Sequence, residues 1–439
     1  MIKLLLINVA EPKYRCYRGA FSNFLTYPPL TIPYLVALLP ENIEIEYEIC
    51  DENISPAKFD KKYDVVAMSF MSVGANRAYM LADRYKQDGA YLLAGGYHPT
   101  FCSSEVLEHF DSVIKGAAEI SFPKFFNDYI NNNCEKIYDY QNVDLKDYKF
   151  PKREVIPKRG YLNIPPIIAN RGCKNACEFC AISALNRGSS LRPVSNVIDE
   201  LKTLKNKRIV FFDPNFFQQK EYALEIMEAL GKMKKLWGCN ATIMLAKDDE
   251  LLESASKNGC RGVLLGLESL SAESLKNARK AFNKPNKFKD AIAKIRSYKI
   301  FAHGCFVLGF DSDTKEDLKS LPEQVNYLGL DLARFAILTP MPNSELYIRL
   351  EKEDRIITKN WLLYDQNHAV FMPKNMTPSE LEEIYHYVWK ETFTIGKIIE
   401  RTFKNNHSII EKLMLMGANL GFKYVGSDAK EWQKCLGDK

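Results

Sequence analysis

The feature that most restricts the fold of this chain is a rhythm of short apolar runs alternating with amphipathic stretches, and it occurs twice. In the N-terminal third the runs are KLLLINVA, IEIEYEIC, DVVAMSF, YLLAGG and DSVIKGA. Between them lie LTIPYLVALLP, GANRAYMLADRYKQDG, SSEVLEHF and ISFPKFFNDYINN, which read as helices. Strand and crossover helix repeating in this way build a doubly wound α/β layer with a parallel sheet. Its ligand would sit beyond the carboxyl ends of the strands, where MSVGAN, GGYHPT and GAAE fall. From residue 164 a second series begins: PPIIANRG, RIVFFD, CNATIMLA, GVLLGLES, AHGCFVLGF and LARFAIL, separated by helices such as PVSNVIDELKTLKN and DDELLESASKNG. Six strands in βα order predict a partial (β/α)6 barrel.

These patterns divide the chain into a doubly wound domain over 1–145, a charged, proline-containing linker over 146–163, a barrel over 164–345 and a mostly helical region over 346–439. In the last, TPSELEEIYHYVWKETFTIGKIIERTFK reads as a helix pair or one long helix. A hydrophobic content of 46% supports buried cores, and no apolar run reaches the roughly 18 residues of a membrane span. A net charge of +5, with lysines interspersed among acids, argues against nucleic acid as a partner. MIKLLLINVA is too short for a signal peptide, and eleven cysteines without a small-domain framework fit a reducing, cytoplasmic setting where thiols are free or bind metal.

Three of those cysteines fall together in NRGCKNACEFCAISA: Cys173, Cys177 and Cys180, spaced C-x3-C-x2-C just after a strand. A structural zinc site closes with four ligands, and no second C-x2-C knuckle is present. Three thiolates on one loop suit a 4Fe-4S cluster with one iron left open.

This spacing at the end of a first barrel strand resembles the signature of radical S-adenosylmethionine (SAM) enzymes. The resemblance extends through FFDPNF, GLES, FVLGFDSDT, LTPMPNSELY, DRI…W and FMPKNMTPSELE to the subgroup whose N-terminal Rossmann-like domain binds cobalamin. YPPLTIPYLVALLP and LLAGGYHPT are similar to that domain's opening helix and strand end. Lys174, where proline is usual, and GAAE, where Gly-Glu-x-Glu is usual, depart from the pattern. The resemblance implies that the amino and carboxylate groups of SAM chelate the open iron, and that reductive cleavage gives methionine and a 5'-deoxyadenosyl radical.

It also implies roles for single residues. Phe179 is expected on the adenine edge or in the core. Asp213 would receive the methionine amine or cap a helix. Glu268 would contact SAM or its ribose, or pair with a lysine. Gly309 would let backbone approach the adenine, or serve a turn, and Asp311 and Asp313 would cap the next helix. For cobalamin the candidates are Gly95, Gly96, His98 and Gly116; His98 would lie against the corrin or its tail, or only pack. No Asp-x-His-x-x-Gly occurs, so cobalamin is expected base-off with no protein imidazole on cobalt.

The implied activity is methylation of an unactivated carbon. One SAM methylates cob(I)alamin, a second yields the radical that abstracts a substrate hydrogen, and the substrate radical takes the methyl group. The expected acceptor is a peptide or protein side chain, with an external electron donor of flavodoxin or ferredoxin type. The alternatives are a radical reaction without methyl transfer, on a tetrapyrrole, lipid or other small molecule, and a cluster-based redox sensor. No side chain is assigned as catalytic.

Overall fold

The structure, a computed structural model, describes residues 1–10, 26–140, 144–157, 160–185, 188–404 and 408–427. Residues 428–439 of the expected C-terminal helical region, and Asn405–His407 within it, lie outside the described residues. Two compact units emerge: Met1–Leu162 with Asn360–Tyr364, and Asn163–Lys359 with the remainder of the described chain.

The first unit is built on six parallel strands: β1 (Ile2–Asn8), β2 (Ile45–Asp51), β3 (Val65–Ser69), β4 (Tyr91–Gly95), β5 (Ser112–Gly116) and β6 (Ile137–Tyr140), in the order β2-β1-β3-β4-β5-β6. The central runs are apolar throughout because helices cover both faces. Leu4, Leu6, Val65, Ala67 and Leu93 accordingly lie in one core with Phe122, Phe125 and Phe126 of helix Ala118–Ile130. β2 carries Glu46 and Glu48 on an outer strand, which discourages pairing by another chain. The strand order reverses between β1 and β3, the position where doubly wound sheets open a ligand crevice.

Five of these strands match the expected runs. The sixth, KIYDY, was not anticipated, and neither was the packing of the linker. Tyr148 stacks on Tyr34 with ring centroids 4.6 Å apart, and the Lys152 amide donates to the Pro33 carbonyl at 2.9 Å. Residues 144–157 therefore belong to the first unit. Charge and proline content hid the two aromatic anchors.

The second unit follows the βα rhythm in strict sequence. Strand β7 (Pro166–Ile167) is followed by a small antiparallel pair, β8 (Asn170–Arg171) and β9 (Ser190–Leu191). Then come β10 (Arg208–Phe211), β11 (Leu236–Ala241), β12 (Cys260–Glu268), β13 (Phe301–Leu308) and β14 (Leu332–Ile337). Apart from the β8–β9 pair they form one parallel sheet in chain order from β7 to β14, the wall of a partial barrel. Helices such as Val194–Thr203, Lys220–Lys232, Asp249–Lys257 and Phe288–Ser297 alternate with these strands and bury Leu201, Ile226, Leu252 and Ile292 in a shared core with them. The third barrel strand is LWGCNA; IMLAK, expected to extend it, forms a 3-10 turn instead. An apolar run too short to show a period fits either state.

Past the barrel, Pro378–Thr392 and Ile395–Phe403 form the expected pair of helices. The first begins with a reciprocal capping box between Thr377 and Glu380.

Candidate functional site

The cysteine loop is the segment between β8 and β9, and the ladder of those two strands ties its ends together. Cys177 is buried, Cys173 and Cys180 are partly open, and all three are free thiols. Gly172 enters the loop at φ +82°, a conformation glycine adopts without strain.

Three elements hold the loop from outside. Gln218, beyond β10, accepts a hydrogen bond from the Lys174 amide at 3.3 Å. Its amide nitrogen donates to Asn170 Oδ1, Gly172 O and Ser189 Oγ at 2.8, 3.3 and 3.0 Å. The Glu178 carboxylate pairs with Arg349 of helix Glu345–Lys352 at 2.6 Å, and the Glu178 carbonyl accepts from the Leu346 amide at 3.0 Å. The Glu178 amide in turn donates to the Ala278 carbonyl at 3.3 Å. Gln218, Arg349 and their partners carried no sequence signal, because their work depends on which distant loop they meet.

Asp213 ends at the same place from within. Its Oδ1 accepts from the Ala169 and Asn170 amides at 2.8 and 3.2 Å, and its Oδ2 accepts from Asn170 Nδ2 at 3.0 Å. It is fully closed to solvent, and burial pushes its carboxyl up to about 7 despite the backbone donors. The expectation that Asp213 receives the cofactor's amine is corrected: its hydrogen bonds fix the strand that leads into the cysteine loop. The helix-cap alternative is not realised either.

Glu268 lies at a bulge. The register of β12 against β13 shifts between Gly266 and Glu268, and Glu268 takes φ +66°. Such an irregularity re-aims a side chain at a strand end. Asn283 Nδ2 holds the bulge by donating to the Gly266 and Leu267 carbonyls at 2.9 and 3.1 Å.

The carboxylate pairs with Lys280, a buried lysine absent from the sequence reading. Gly266 makes room for that pair, since a Cβ there would stand 2.5 Å from Glu268 Oε1 and 2.7 Å from Lys280 Nζ. Burial opposes the charge on Lys280, but Glu268, Cys177 and Cys180 outweigh it and hold the ammonium above its ordinary range. Burial likewise pushes the Cys177 thiol up to about 11, with Lys280 pulling the other way.

Three free thiols on one loop, with none tied up in a disulfide, are the donor set for a cluster whose irons bring positive charge. The residues present fit a 4Fe-4S group. Phe179, between two of the thiols, is partly buried against the core and meets Phe310 edge-on at 6.0 Å.

Gly309 follows β13 and meets the first helix of the pair past the barrel. It sits at φ +103°, and the space its Cβ would need is taken by Leu381 of helix Pro378–Thr392, 2.7 Å away. The positive φ calls for glycine here, and Leu381 packs over it, a role beside the backbone approach to adenine that was expected. Asp313 braces the same turn, accepting from the Gly309 and Phe310 amides at 2.9 and 3.0 Å and from Ser274 Oγ at 2.8 Å. Asp311 binds Arg355 and Arg349 at 2.7 and 3.0 Å, so neither aspartate caps the following helix, which Thr314 does.

In the first unit, Gly95 and Gly116 end β4 and β5. Gly96 adopts φ +107°, and a Cβ there would stand 2.7 Å from the Phe70 carbonyl, so close backbone approach requires it. His98 is shut off from water, and burial pushes its imidazole down to about 4. Tyr79 donates its hydroxyl proton to Glu105 at 2.8 Å, so the neutral His98 is assigned as donating from Nε2 to Tyr79 at 2.9 Å. Nδ1 then accepts from Ser72 at 3.1 Å. Trp361 closes the network, its indole donating to Glu105 at 2.7 Å and its ring meeting His98 edge-on at 5.0 Å. The ligand atoms of His98, Cys102 and Glu105 gather within 4.8 Å, but the imidazole and carboxylate are already bonded in this network.

Residues 167–325 match the family model described as the radical SAM superfamily. The chain is 27% identical over 352 residues to the bacteriochlorophyllide d C-12(1)-methyltransferase of Chlorobaculum tepidum, covering 77% of this chain and 76% of that protein. The bacteriochlorophyllide d C-8(2)-methyltransferase of the same organism is 26% identical over 87% of this chain and 89% of its own length. Among solved structures, the radical SAM methyltransferase TsrM of Kitasatospora setae, with cobalamin and a [4Fe-4S] cluster bound, superposes with a TM-score of 0.66 over 99% of this chain and 98% of its own, at 12% identity. The cysteine loop and the partial barrel thus fall where residues 167–325 match the radical SAM superfamily model, and the barrel together with the doubly wound N-terminal sheet gives the chain a fold similar to that of TsrM.

Proposed function

We propose that this protein is a cobalamin-dependent radical SAM methyltransferase that adds a methyl group to an unactivated carbon of a tetrapyrrole. The observation that carries the reading is the gathering of Cys173, Cys177 and Cys180 near the buried Glu268–Lys280 pair at one end of the barrel. When bound, the cluster supplies an electron for SAM cleavage and cobalamin supplies the methyl group.

The chain's own part is to hold and to exclude. The three cysteines hold the cluster, and Gln218, Asp213 and Arg349 keep their loop in one conformation. Lys280 offers a cation to the carboxylate end of SAM, and Glu268 and Phe179 offer a polar and an aromatic surface beside it. Cobalamin is assigned to the first unit, at the carboxyl ends of its strands, with Gly95 and Gly116 as backbone against it. Both ring nitrogens of His98 are engaged, and His109 pairs with Asp83 at 3.0 Å, which supports a cobalt free of protein imidazole.

The substrate class is drawn from the two relatives, both named for action on bacteriochlorophyllide d, and is preferred here to the peptide or protein side chain expected from sequence. An external donor of flavodoxin or ferredoxin type completes the scheme. Among the described residues no helix is long and apolar enough to cross a membrane, and the free thiols suit a reducing, cytoplasmic compartment.

The test is anaerobic reconstitution with iron, sulfide and cobalamin, followed by methyl-labelled SAM and a chlorophyllide. We expect 5'-deoxyadenosine, S-adenosylhomocysteine and a labelled acceptor heavier by one methylene. Absence of deoxyadenosine under reducing conditions would sink the radical reading. Its appearance without label transfer would turn the function to a non-methylating radical reaction.

A further inference from the structure

Along the barrel strands burial alternates. On β13, Ala302, Gly304 and Phe306 are closed, while His303 and Cys305 on the other face are partly open. On β14 the same alternation leaves Arg334 exposed between buried Ala333 and Phe335. Strand register puts Gly266, Cys305 and Arg334 side by side in one layer, with His303 on the layer beneath. The Glu268–Lys280 pair hangs over Gly266, so this face is the one that meets the cluster end of the barrel.

Arg334 differs from three other arginines of this unit. Arg192, Arg349 and Arg355 each bind a carboxylate at 2.6–2.7 Å. Among the described residues the Arg334 guanidinium has neither an ion pair nor a hydrogen bond. Among the described residues of β12, β13 and β14, the acid at this face is Glu268, and it is committed to Lys280. His303 Nε2 is buried without a partner, and burial, reinforced by the charge of Arg334, pushes that imidazole down to about 3, so it stays neutral and adds no second cation. Among the described residues this face thus carries a guanidinium with no carboxylate against it, and its planar fork matches a carboxylate bidentately.

We infer that Arg334 anchors a carboxylate of the substrate inside the barrel. The inference deepens the tetrapyrrole reading, on which it rests for the identity of the acid, because chlorophyllide-type tetrapyrroles bear a propionic acid side chain. The anion site itself stands on the geometry alone.

The experiment uses the reconstituted holoenzyme with two probes. Protoporphyrin IX and its dimethyl ester are titrated by absorbance, and benzoate is tested for its effect on the melting temperature. Wild type is expected to prefer the diacid, and Arg334→Gln to weaken diacid binding by roughly ten- to a hundredfold, the weight of a charge-assisted pair, leaving the ester unaffected. Arg334→Lys, which keeps the charge and loses the fork, should retain part of the preference and guards against a folding artefact.

A diacid preference that survives in Arg334→Gln overturns the inference and leaves the tetrapyrrole reading intact. Loss of SAM binding with diacid affinity retained also overturns it, since the arginine would then serve the cofactor. If no porphyrin binds, but benzoate stabilises wild type and not Arg334→Gln, the carboxylate site stands and the tetrapyrrole reading falls. If no porphyrin binds and benzoate acts equally on both or on neither, both fall.

Discussion

Asp213 is closed to water, yet its carboxyl accepts hydrogen bonds from the two residues that lead into the cysteine loop. Burial lifts its titration from the ordinary 3.8 to about 7, so in the folded state it keeps its proton where the unfolded chain has lost it. The contribution is therefore complete below about pH 3.8 and is lost as pH rises to about 7, at up to about 1.4 kcal/mol per pH unit within that window. Asp213→Asn keeps an acceptor for both amides and cannot ionise. Urea unfolding from pH 5 to 8 should show the stability of the asparagine variant gaining on wild type up to about pH 7 and running parallel above it; a pH-independent difference would refute the assignment. At this scale the sequence disclosed the cysteines, because covalent ligand spacing is local. Lys280, Gln218 and Arg334 were not legible, since each acquires meaning only from a neighbour far along the chain.

Elements were legible where a period could be counted. The long strands β12 and β13 and the helices around them alternate or repeat clearly enough to be placed from sequence. The two-residue pair β8–β9, which closes the base of the cysteine loop, has no period, and the bulge in β12 leaves no trace in composition. Gly309 shows how an element's packing fixes a residue that looked functional. Alanine there must adopt φ +103° and put its Cβ 2.7 Å from Leu381. Backbone strain in such a region costs about 1–3 kcal/mol before the contact is counted. Gly309→Ala should thus lower unfolding stability in urea by at least that much. Adding Leu381→Ala should relieve the contact and leave the strain, so the double variant should lose less than the sum of the single losses. Strict additivity would show that the helix does not press on this glycine.

The whole molecule is not cut where its sequence changes character. The first unit takes in Asn360–Tyr364 from beyond the barrel, and these residues supply Trp361 and Tyr364, both buried. That the segment DRI…W contains such a tryptophan was visible; its destination was not, because topology over hundreds of residues leaves no local mark. Trp361 covers His98 and gives Glu105 its second donor after Tyr79. Burying each aromatic side chain contributes roughly 1.5–3 kcal/mol, so a fragment ending at Leu162 forfeits about 3–6 kcal/mol, against the 5–15 kcal/mol that typically separates a folded domain from its unfolded chain. The fragment also opens the buried His98 imidazole to water. A 1–162 fragment should unfold at markedly lower urea than the same fragment with residues 360–364 appended through a flexible linker, and Trp361→Ala in the appended form should remove most of the gain. Equal midpoints for the three proteins would mean that the first unit is complete without the returning segment, and that Trp361 shields the His98 network without supporting the fold.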